Sequence, residues 1–254
     1  MQSAIGAESM NLRSTTKQNC ILIGAGEQPS YKIPIAREDY LIAVDGGYEY
    51  CRKWELVPDL ILGDFDSVNE DMKTDIKAMQ QHMPDRINVL PVMKDDTDTL
   101  AALRIGLAKG YRSFVIYGGT GGRTDHTIAN IQCLQFLKDQ EADGYLVADR
   151  EMLFLIRNES VKFPPKSFGL FSLFALQNQV LGVTIRGMKY PLEQAVLTDA
   201  YPIGISNEFI GEEAEVSVEN GTLLAVMQLI EDEKENNHGK ETSSINDFRR
   251  LRSE

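Results

Sequence analysis

Residues 114–126 read Phe-Val-Ile-Tyr-Gly-Gly-Thr-Gly-Gly-Arg-Thr-Asp-His, an apolar run that passes through four glycines into charged residues. Apolar residues at helical spacing follow between His126 and Asp139. A short apolar run that ends in glycine indicates a buried strand. Glycines just before the start of a helix are suited to binding a phosphate, because the free backbone N–H groups of the first turn point at it. The stretch therefore predicts a strand, a phosphate loop and a helix.

Four other apolar runs end in the same way, in glycine or carboxylate. They are Cys20–Ile23 before Gly24-Ala25-Gly26-Glu27, Tyr40–Val44 before Asp45-Gly46-Gly47, Leu60–Leu62 before Gly63-Asp64-Phe65-Asp66-Ser67, and Ile87–Val92 before Lys94-Asp95-Asp96-Thr97-Asp98. Short buried strands separated by helical stretches indicate a parallel sheet, and such sheets bind ligands outside the carboxyl ends of their strands. The carboxylates would converge there and repel each other, so we expect a divalent cation and a polyphosphate.

The hydrophobic period changes in the second part of the chain. From Phe163 to Ile230, apolar and polar residues alternate in steps of two, and Asn220-Gly221 predicts a type I′ hairpin. The predicted fold class is an α/β N-terminal domain with a mostly parallel sheet, followed by a smaller all-β antiparallel sandwich or barrel. The predicted division is a flexible tail (1–18), the α/β domain (19–160), the β domain (161–231) and a charged tail (232–254).

Composition narrows the class of protein. The chain has 254 residues, of which 43% are hydrophobic, so it can fill a globular core. A net charge of -12 argues against nucleic acid and anionic membranes, which favour a basic surface. No apolar run reaches the roughly 20 residues of a membrane span, and the first residues lack a signal-peptide pattern. The three cysteines form no Cys-x-x-Cys pair, which is typical of reduced thiols in a cytoplasmic protein.

Each carboxylate motif also has an ordinary structural interpretation. Asp64 and Asp66 stand two apart on an extended segment and so share a face, but an aspartate can also cap a helix after a strand. Three carboxylates among residues 95–98 exceed what helix capping needs. Arg123 would add a bidentate phosphate contact beside the glycine loop, which lacks the Gly-Lys-Ser/Thr ending of a Walker loop. The loop at 24–27 lacks the third glycine of the dinucleotide fingerprint, so NAD binding is disfavoured.

Together, these motifs resemble those of the thiamine pyrophosphokinase family. The matching elements are Asp45-Gly46-Gly47, Gly63–Ser67, Lys94–Asp98, Gly121–His126 with Asn130 one turn on, and Gly204-Ile205-Ser206-Asn207. The resemblance implies transfer of the β,γ-pyrophosphoryl group of ATP to the hydroxyl of thiamine, giving thiamine diphosphate and AMP. It also implies a homodimer, with thiamine bound between the second domain of one subunit and the first domain of the other.

The resemblance further implies a role for each site residue. Mg²⁺ would be held by Asp64, Asp66 and Asp98, directly or through water. Arg123 would clamp phosphate oxygens, while Asp95 and Asp125 would orient the attacking hydroxyl or a metal-bound water. The implied ATP contacts are Asp45, Gly46, Gly47, Gly121, Gly122, Arg123, His126 and Asn130. Ser206 and Asn207 would bind the aminopyrimidine of thiamine, and Phe209 stands near the place where some members carry a tryptophan.

Three other functions compete with this interpretation. A hydroxymethylpterin pyrophosphokinase shares part of the first-domain pattern and differs in its acceptor. A non-catalytic nucleotide sensor would have no use for the full set of aspartates at 64, 66, 95, 98 and 125. A Mg²⁺-dependent phosphohydrolase would need no acceptor domain.

Overall fold

The computed structural model describes residues 18–65, 70–91, 96–165 and 167–229. Within these ranges the chain forms one ten-stranded and one four-stranded sheet. The two predicted tails lie outside the described residues, apart from residue 18. Four residues of the predicted motifs also lie outside them: Asp66, Ser67, Lys94 and Asp95.

The first half of the large sheet is parallel. Its strands are β1 (Cys20–Ile23), β2 (Tyr40–Val44), β3 (Leu60–Gly63), β4 (Ile87–Val89), β5 (Ser113–Tyr117) and β6 (Asp143–Val147). The helices between them are α1 (Gly47–Lys53), α2 (Glu70–His82), α3 (Asp98–Ala108) and α4 (Thr124–Asp139), with a 3-10 turn at Pro84–Arg86. The predicted strands are confirmed to within two residues, except that β4 ends at Val89, short of the predicted Val92.

Local signals set both ends of α3. The Thr97 hydroxyl oxygen accepts a hydrogen bond from the backbone N–H of Leu100 at 3.2 Å, which satisfies one free donor of the first turn. Gly110 follows the last turn with φ +94°, a conformation that favours glycine. Asp98 is thus the first residue of a helix that begins after the carboxyl end of β4.

The second half of the large sheet is antiparallel and continues directly from β6. The remaining strands are β7 (Glu151–Arg157), β8 (Ser160–Phe163), β9 (Leu170–Ala175), β10 (Val180–Arg186), β11 (Leu192–Leu197), β12 (Asn207–Glu208), β13 (Ala214–Ser217) and β14 (Thr222–Gln228). The large sheet has the order β12-β9-β14-β7-β6-β5-β1-β2-β3-β4, and the small sheet has the order β11-β10-β13-β8. The predicted fold class is confirmed. The division at residues 160/161 stays a prediction, because one sheet runs through both parts.

The predicted hairpin at Asn220-Gly221 is wrong. These residues connect β13 of the small sheet to β14 of the large sheet, and the two strands do not pair. Each strand already has two neighbours in its own sheet. The Gly221 N–H donates instead to the Asn158 side-chain oxygen at 2.7 Å. A turn motif reports local backbone preference, and it does not determine which strands pair.

The small sheet packs on the antiparallel half of the large sheet. Phe163 of β8, Phe171 of β9 and Phe209 meet with ring centroids 5.2 to 5.6 Å apart. All three are buried, and burial of such a side chain stabilises the fold by about 1.5–3 kcal/mol. The cluster fixes Phe209, which directly follows β12 and the predicted acceptor residues Ser206 and Asn207. Among the helices of the described ranges, none is long and apolar enough to cross a membrane.

Candidate functional site

Two glycine loops are joined side by side at the carboxyl ends of β1 and β5. Three backbone hydrogen bonds of 2.8 to 2.9 Å connect them: Gly24 to Tyr117, Gly26 to Gly118, and Glu27 to Thr120. A Cβ atom at Gly26 would lie 2.5 Å from the Thr120 oxygen, so the backbones approach too closely for any side chain there. The loop at 24–27, a weak motif in the sequence, is thus the structural partner of the predicted phosphate loop.

The Asp45-Gly46-Gly47 motif packs against the same loops. A Cβ atom at Gly47 would lie 1.8 Å from the carbonyl oxygen of Ile23, which requires glycine at this position. Asp45 has φ +50°, an uncommon conformation for a non-glycine residue, and its N–H donates to the Leu62 carbonyl at 2.7 Å. The predicted convergence of these motifs at one edge of the sheet is therefore observed for β1, β2, β3 and β5.

Asn130 connects helix α4 to the phosphate loop. It is buried, and its side-chain N–H donates to the carbonyl oxygen of Gly119 at 2.7 Å. This bond holds the loop against the first turns of the helix. The predicted contact of Asn130 with the nucleotide stays a prediction.

Arg123 and Asp125 form a bidentate ion pair at the start of α4. Arg123 Nε donates to Asp125 Oδ1 at 3.1 Å, and Arg123 Nη2 donates to Asp125 Oδ2 at 2.6 Å. The hydrogen bonds from Arg123 lower the pKa of Asp125 to about 2. Both side chains are exposed, as is His126, whose backbone N–H also donates to Asp125. At neutral pH, Asp125 is therefore a charged hydrogen-bond acceptor and a poor general base.

The carboxylates of the predicted metal site are only partly described. Asp64 is half-buried directly after β3, and it is followed by the buried Phe65 with φ +56°. Asp98 is half-buried at the start of α3, whereas Asp96 is used in an ion pair with Arg104 at 2.9 Å. In the part of the chain that the structure describes, no three His, Cys, Asp or Glu side chains are grouped to hold a metal. The metal set, which includes Asp66, stays a prediction.

The predicted acceptor residues lie on β12 and just before it. Asn207 is buried, and its side chain makes two hydrogen bonds with the backbone of Tyr190, at 2.8 and 2.9 Å. Ser206 is exposed at φ +58°, and its N–H donates to the Ser172 hydroxyl oxygen at 3.0 Å. Phe209 belongs to the aromatic cluster of the core, so its ring is not available to a ligand.

Tyr190 is a candidate that the sequence interpretation missed. Tyr190 is 58% exposed, and its two hydrogen bonds with Asn207 fix its backbone near Ser206. Aromatic residues are usually core residues, so sequence alone did not distinguish this one. The exposure and the two hydrogen bonds make Tyr190 a candidate ligand contact, and Lys189 Nζ, 5.7 Å from the ring centroid, already lies over the ring.

The two halves of the predicted site lie far apart within one chain. In the sheet order, β12 lies five positions from β5 and eight positions from β3, which corresponds to about 24 Å and about 38 Å along the sheet at about 4.8 Å per strand. The structure therefore brings together the loops at 24–27, 45–47 and 118–126. It does not bring Ser206 and Asn207 to them.

The cysteines offer no nucleophile near this edge. Cys20, Cys51 and Cys133 are free and buried. Burial raises the pKa of all three thiols, to about 12 for Cys51 and about 11 for Cys133. A thiol that stays protonated at neutral pH is a poor nucleophile.

Comparison with known proteins gives matches across both parts of the chain. One family model, "Thiamin pyrophosphokinase, catalytic domain", matches residues 31–146, and a second, "Thiamin pyrophosphokinase, vitamin B1 binding domain", matches residues 159–223. Thiamine pyrophosphokinase of Bacillus subtilis is 28% identical over 193 residues, which cover 73% of this chain and 85% of the relative.

Solved structures agree with these matches. The crystal structure of thiamine pyrophosphokinase from Bacillus subtilis is 26% identical with a TM-score of 0.72, and the match covers 83% of this chain and 99% of that one. A thiamin pyrophosphokinase family protein from Enterococcus faecalis is 27% identical with a TM-score of 0.70, covering 83% and 98%. The similarity extends over nearly the whole of each solved chain.

Proposed function

Because the chain belongs to the thiamin pyrophosphokinase family, we propose that it transfers the pyrophosphoryl group of ATP to the thiamine hydroxyl with Mg²⁺, giving thiamine diphosphate and AMP. Membership makes it a transferase of thiamine diphosphate biosynthesis. We further propose that the co-substrate is ATP, that the metal ion is magnesium, and that the protein is a homodimer in the cytoplasm. The observation that carries it is the convergence of three glycine motifs and the Arg123–Asp125 pair at one sheet edge.

The phosphate chain of ATP fits the start of α4. Gly121 and Gly122 have positive φ angles of +78° and +63°, and they lead directly into a helix of 16 residues. The first N–H groups of a helix favour an anion. Asp125 fixes the fork of Arg123 and engages only part of its N–H donors, so the remaining donors can bind phosphate oxygens. Phosphoryl-type transfers depend on such positioning and charge neutralisation more than on covalent catalysis.

The chemistry of the donors fits a magnesium ion. Asp64 offers hard carboxylate oxygens directly after β3, Asp98 offers them at the start of α3, and Asp66 adds a third carboxylate in the sequence. These three residues would hold Mg²⁺, which when bound would neutralise phosphate charge as the leaving AMP develops. Asp125 stays ionised at neutral pH, so it can accept a hydrogen bond from the thiamine hydroxyl and orient it. Asp95 is the second candidate for that role.

A second copy of the chain would bring the acceptor residues to the phosphate site. Within one chain, about 24 Å of sheet separates β12 from β5, which carries the phosphate loop, and this is more than the length of thiamine. Large apolar side chains are exposed on β9 and on the nearby segment 201–210: Leu170, Phe174, Tyr201, Ile203, Ile205 and Ile210. Exposed apolar groups of this kind mark protein interfaces. A twofold dimer would cover them and complete two equivalent sites.

Mixing two inactive variants tests this dimer. We expect Asp64→Asn chains and Ser206→Ala/Tyr190→Ala chains, each nearly inactive at low thiamine concentration, to regain about a quarter of wild-type activity after co-refolding, because half the dimers then hold one intact site. The measurement is steady-state turnover of the mixture against each variant alone. No recovery, in a mixture shown by mass to contain mixed dimers, would place the complete site within one chain.

Tyr190 is expected to contact the thiamine ring system. Thiamine carries a cationic thiazolium, and an aromatic face attracts a cation. Tyr190→Ala should weaken thiamine binding by about tenfold, while Tyr190→Phe, which keeps the ring, should bind nearly as well as wild type. Calorimetric titration of thiamine and of ATP measures both constants. Equal weakening of ATP binding, or equal losses for Ala and Phe, would contradict the assignment.

Asn207 gives a companion test, because its side chain holds Tyr190. Asn207→Ala should lower both the melting temperature and the thiamine affinity, whereas Ser206→Ala should lower only the affinity.

Comparing thiamine with a hydroxymethylpterin as acceptor tests the identity of the substrate. Turnover of thiamine alone supports the proposal, and preference for the pterin would overturn it.

A further inference from the structure

The loop at 24–27 stands at the point where the strand order of the parallel sheet reverses. Strands β2, β3 and β4 extend from one side of β1, while β5 and β6 lie on its other side. Ligands of open α/β sheets bind in the crevice outside such a switch point. The loops after β1 and β5 stand at this switch point, and three backbone hydrogen bonds join them.

Glu27 is the charged residue that the first loop brings to this crevice. Its N–H is fixed by the Thr120 carbonyl at 2.8 Å, and its side chain lies against the phosphate loop. A Cβ atom added at Gly121 would be 2.5 Å from the Glu27 Cβ and 2.8 Å from Glu27 Oε2. Glu27 is exposed, and within the described ranges its carboxylate makes no hydrogen bond or ion pair. A carboxylate therefore stands beside the loop that we assign to phosphate.

A bare carboxylate beside a polyphosphate is repulsive unless the ligand offers it hydrogen-bond donors. Arg123 makes no ion pair with Glu27, and within the described residues its side-chain hydrogen bonds go to Asp125. A nucleotide carries suitable donors next to its phosphates, namely the ribose hydroxyls. Carboxylates near the ends of strands in α/β sheets bind ribose in this way.

We propose that Glu27 accepts hydrogen bonds from the ribose hydroxyls of the nucleotide and so selects a ribonucleotide over its deoxy analogue. This rests on the proposed function, because it takes ATP as the ligand. The loop at 24–27 is then a wall of the nucleotide site as well as the support of the phosphate loop.

The test compares ATP with 2′-deoxyATP and 3′-deoxyATP by calorimetry on the full chain, with Mg²⁺ and without thiamine. We expect wild-type protein to bind ATP about tenfold or more tightly than at least one deoxy analogue, since a hydrogen bond to a charged group is a strong one. Glu27→Ala should remove most of this preference. Glu38→Ala is the matched control, because it removes the same charge from an exposed position next to the amino end of β2.

Several outcomes would overturn the assignment. The assignment would be wrong if Glu27→Ala kept the wild-type preference for ATP over the deoxy analogues. It would also be wrong if Glu27→Ala bound all three nucleotides more tightly, because Glu27 would then only repel their phosphates. Equal weakening of all three would indicate a cation ligand in place of a ribose contact. Wild-type protein that binds no nucleotide would refute the proposed function as well, whereas thiamine turnover with an unchanged preference would refute the ribose contact alone.

Discussion

Replacing Asp64 with asparagine is expected to lower turnover by about 10²-fold or more, while the melting temperature stays nearly unchanged. Asparagine has nearly the same shape as aspartate, so the half-buried position after β3 can accept it. The neighbouring Phe65 is buried and anchors the segment to the core. The loss would therefore come from the missing charge, which weakens the binding of Mg²⁺ and of the transition state.

Asp71→Asn is the matched control, because Asp71 is exposed on the first turn of α2. Turnover should be measured over a range of Mg²⁺ concentrations, and the melting temperature with and without Mg²⁺ and ATP. We expect Asp64→Asn to lose most of the thermal stabilisation by Mg²⁺ and ATP, which the control retains. Near wild-type turnover of folded Asp64→Asn at saturating Mg²⁺ would refute the metal assignment.

Arg123→Lys is expected to lower turnover more than it weakens thiamine binding, with a loss on the order of 10²-fold. Lysine keeps the charge but lacks the planar fork that makes both hydrogen bonds to Asp125. The substitution would therefore weaken the phosphate contact and would leave Asp125 less well oriented. The measurements are kcat and the KM values for ATP and thiamine, with Arg150→Lys as a control at another exposed arginine. Equal turnover for arginine and lysine at position 123 would make it an ordinary surface residue.

The same pair gives a pH dependence with a definite sign. Arg123 holds the pKa of Asp125 at about 2, below the unfolded value of about 3.9. A depressed carboxyl pKa contributes stability that is fully present above the unfolded pKa and is lost as pH falls through the folded pKa. In wild-type protein, Asp125 therefore stays charged from pH 4 upward. In Arg123→Ala its pKa should return toward 3.9, which NMR titration of the carboxyl measures.

Much of the fold could be predicted because strand and helix signals are local. Apolar runs ending in glycine located the parallel strands closely, and Thr97 and Gly110 set the ends of α3. The pairing of β14 could not be predicted, because the Asn220-Gly221 turn gives no information about which sheet the next strand joins. The continuity of the large sheet through both parts depends on the antiparallel pairing of β6 with β7, which leaves no distinct mark in the sequence.

The sequence predicted which motifs form the site, but it predicted less well what individual residues do there. The glycine motifs lie side by side at one edge of the sheet, as expected, whereas the ion pair between Arg123 and Asp125 was not predicted. Asn130 and Asn207, however, use their amides to hold Gly119 and Tyr190. A sequence shows which side chain is polar, but not whether the fold has already satisfied it. Exposure likewise separates Tyr190 from Phe209, although both are aromatic residues near the same motif.

The most direct test of pyrophosphoryl transfer is a product analysis with ATP, Mg²⁺ and thiamine. Phosphorus NMR of the reaction distinguishes AMP from ADP and free phosphate, and chromatography quantifies thiamine diphosphate. We predict AMP and thiamine diphosphate in equal amounts, with neither product formed when thiamine is omitted. ADP with thiamine monophosphate, or phosphate release that does not depend on thiamine, would contradict the account.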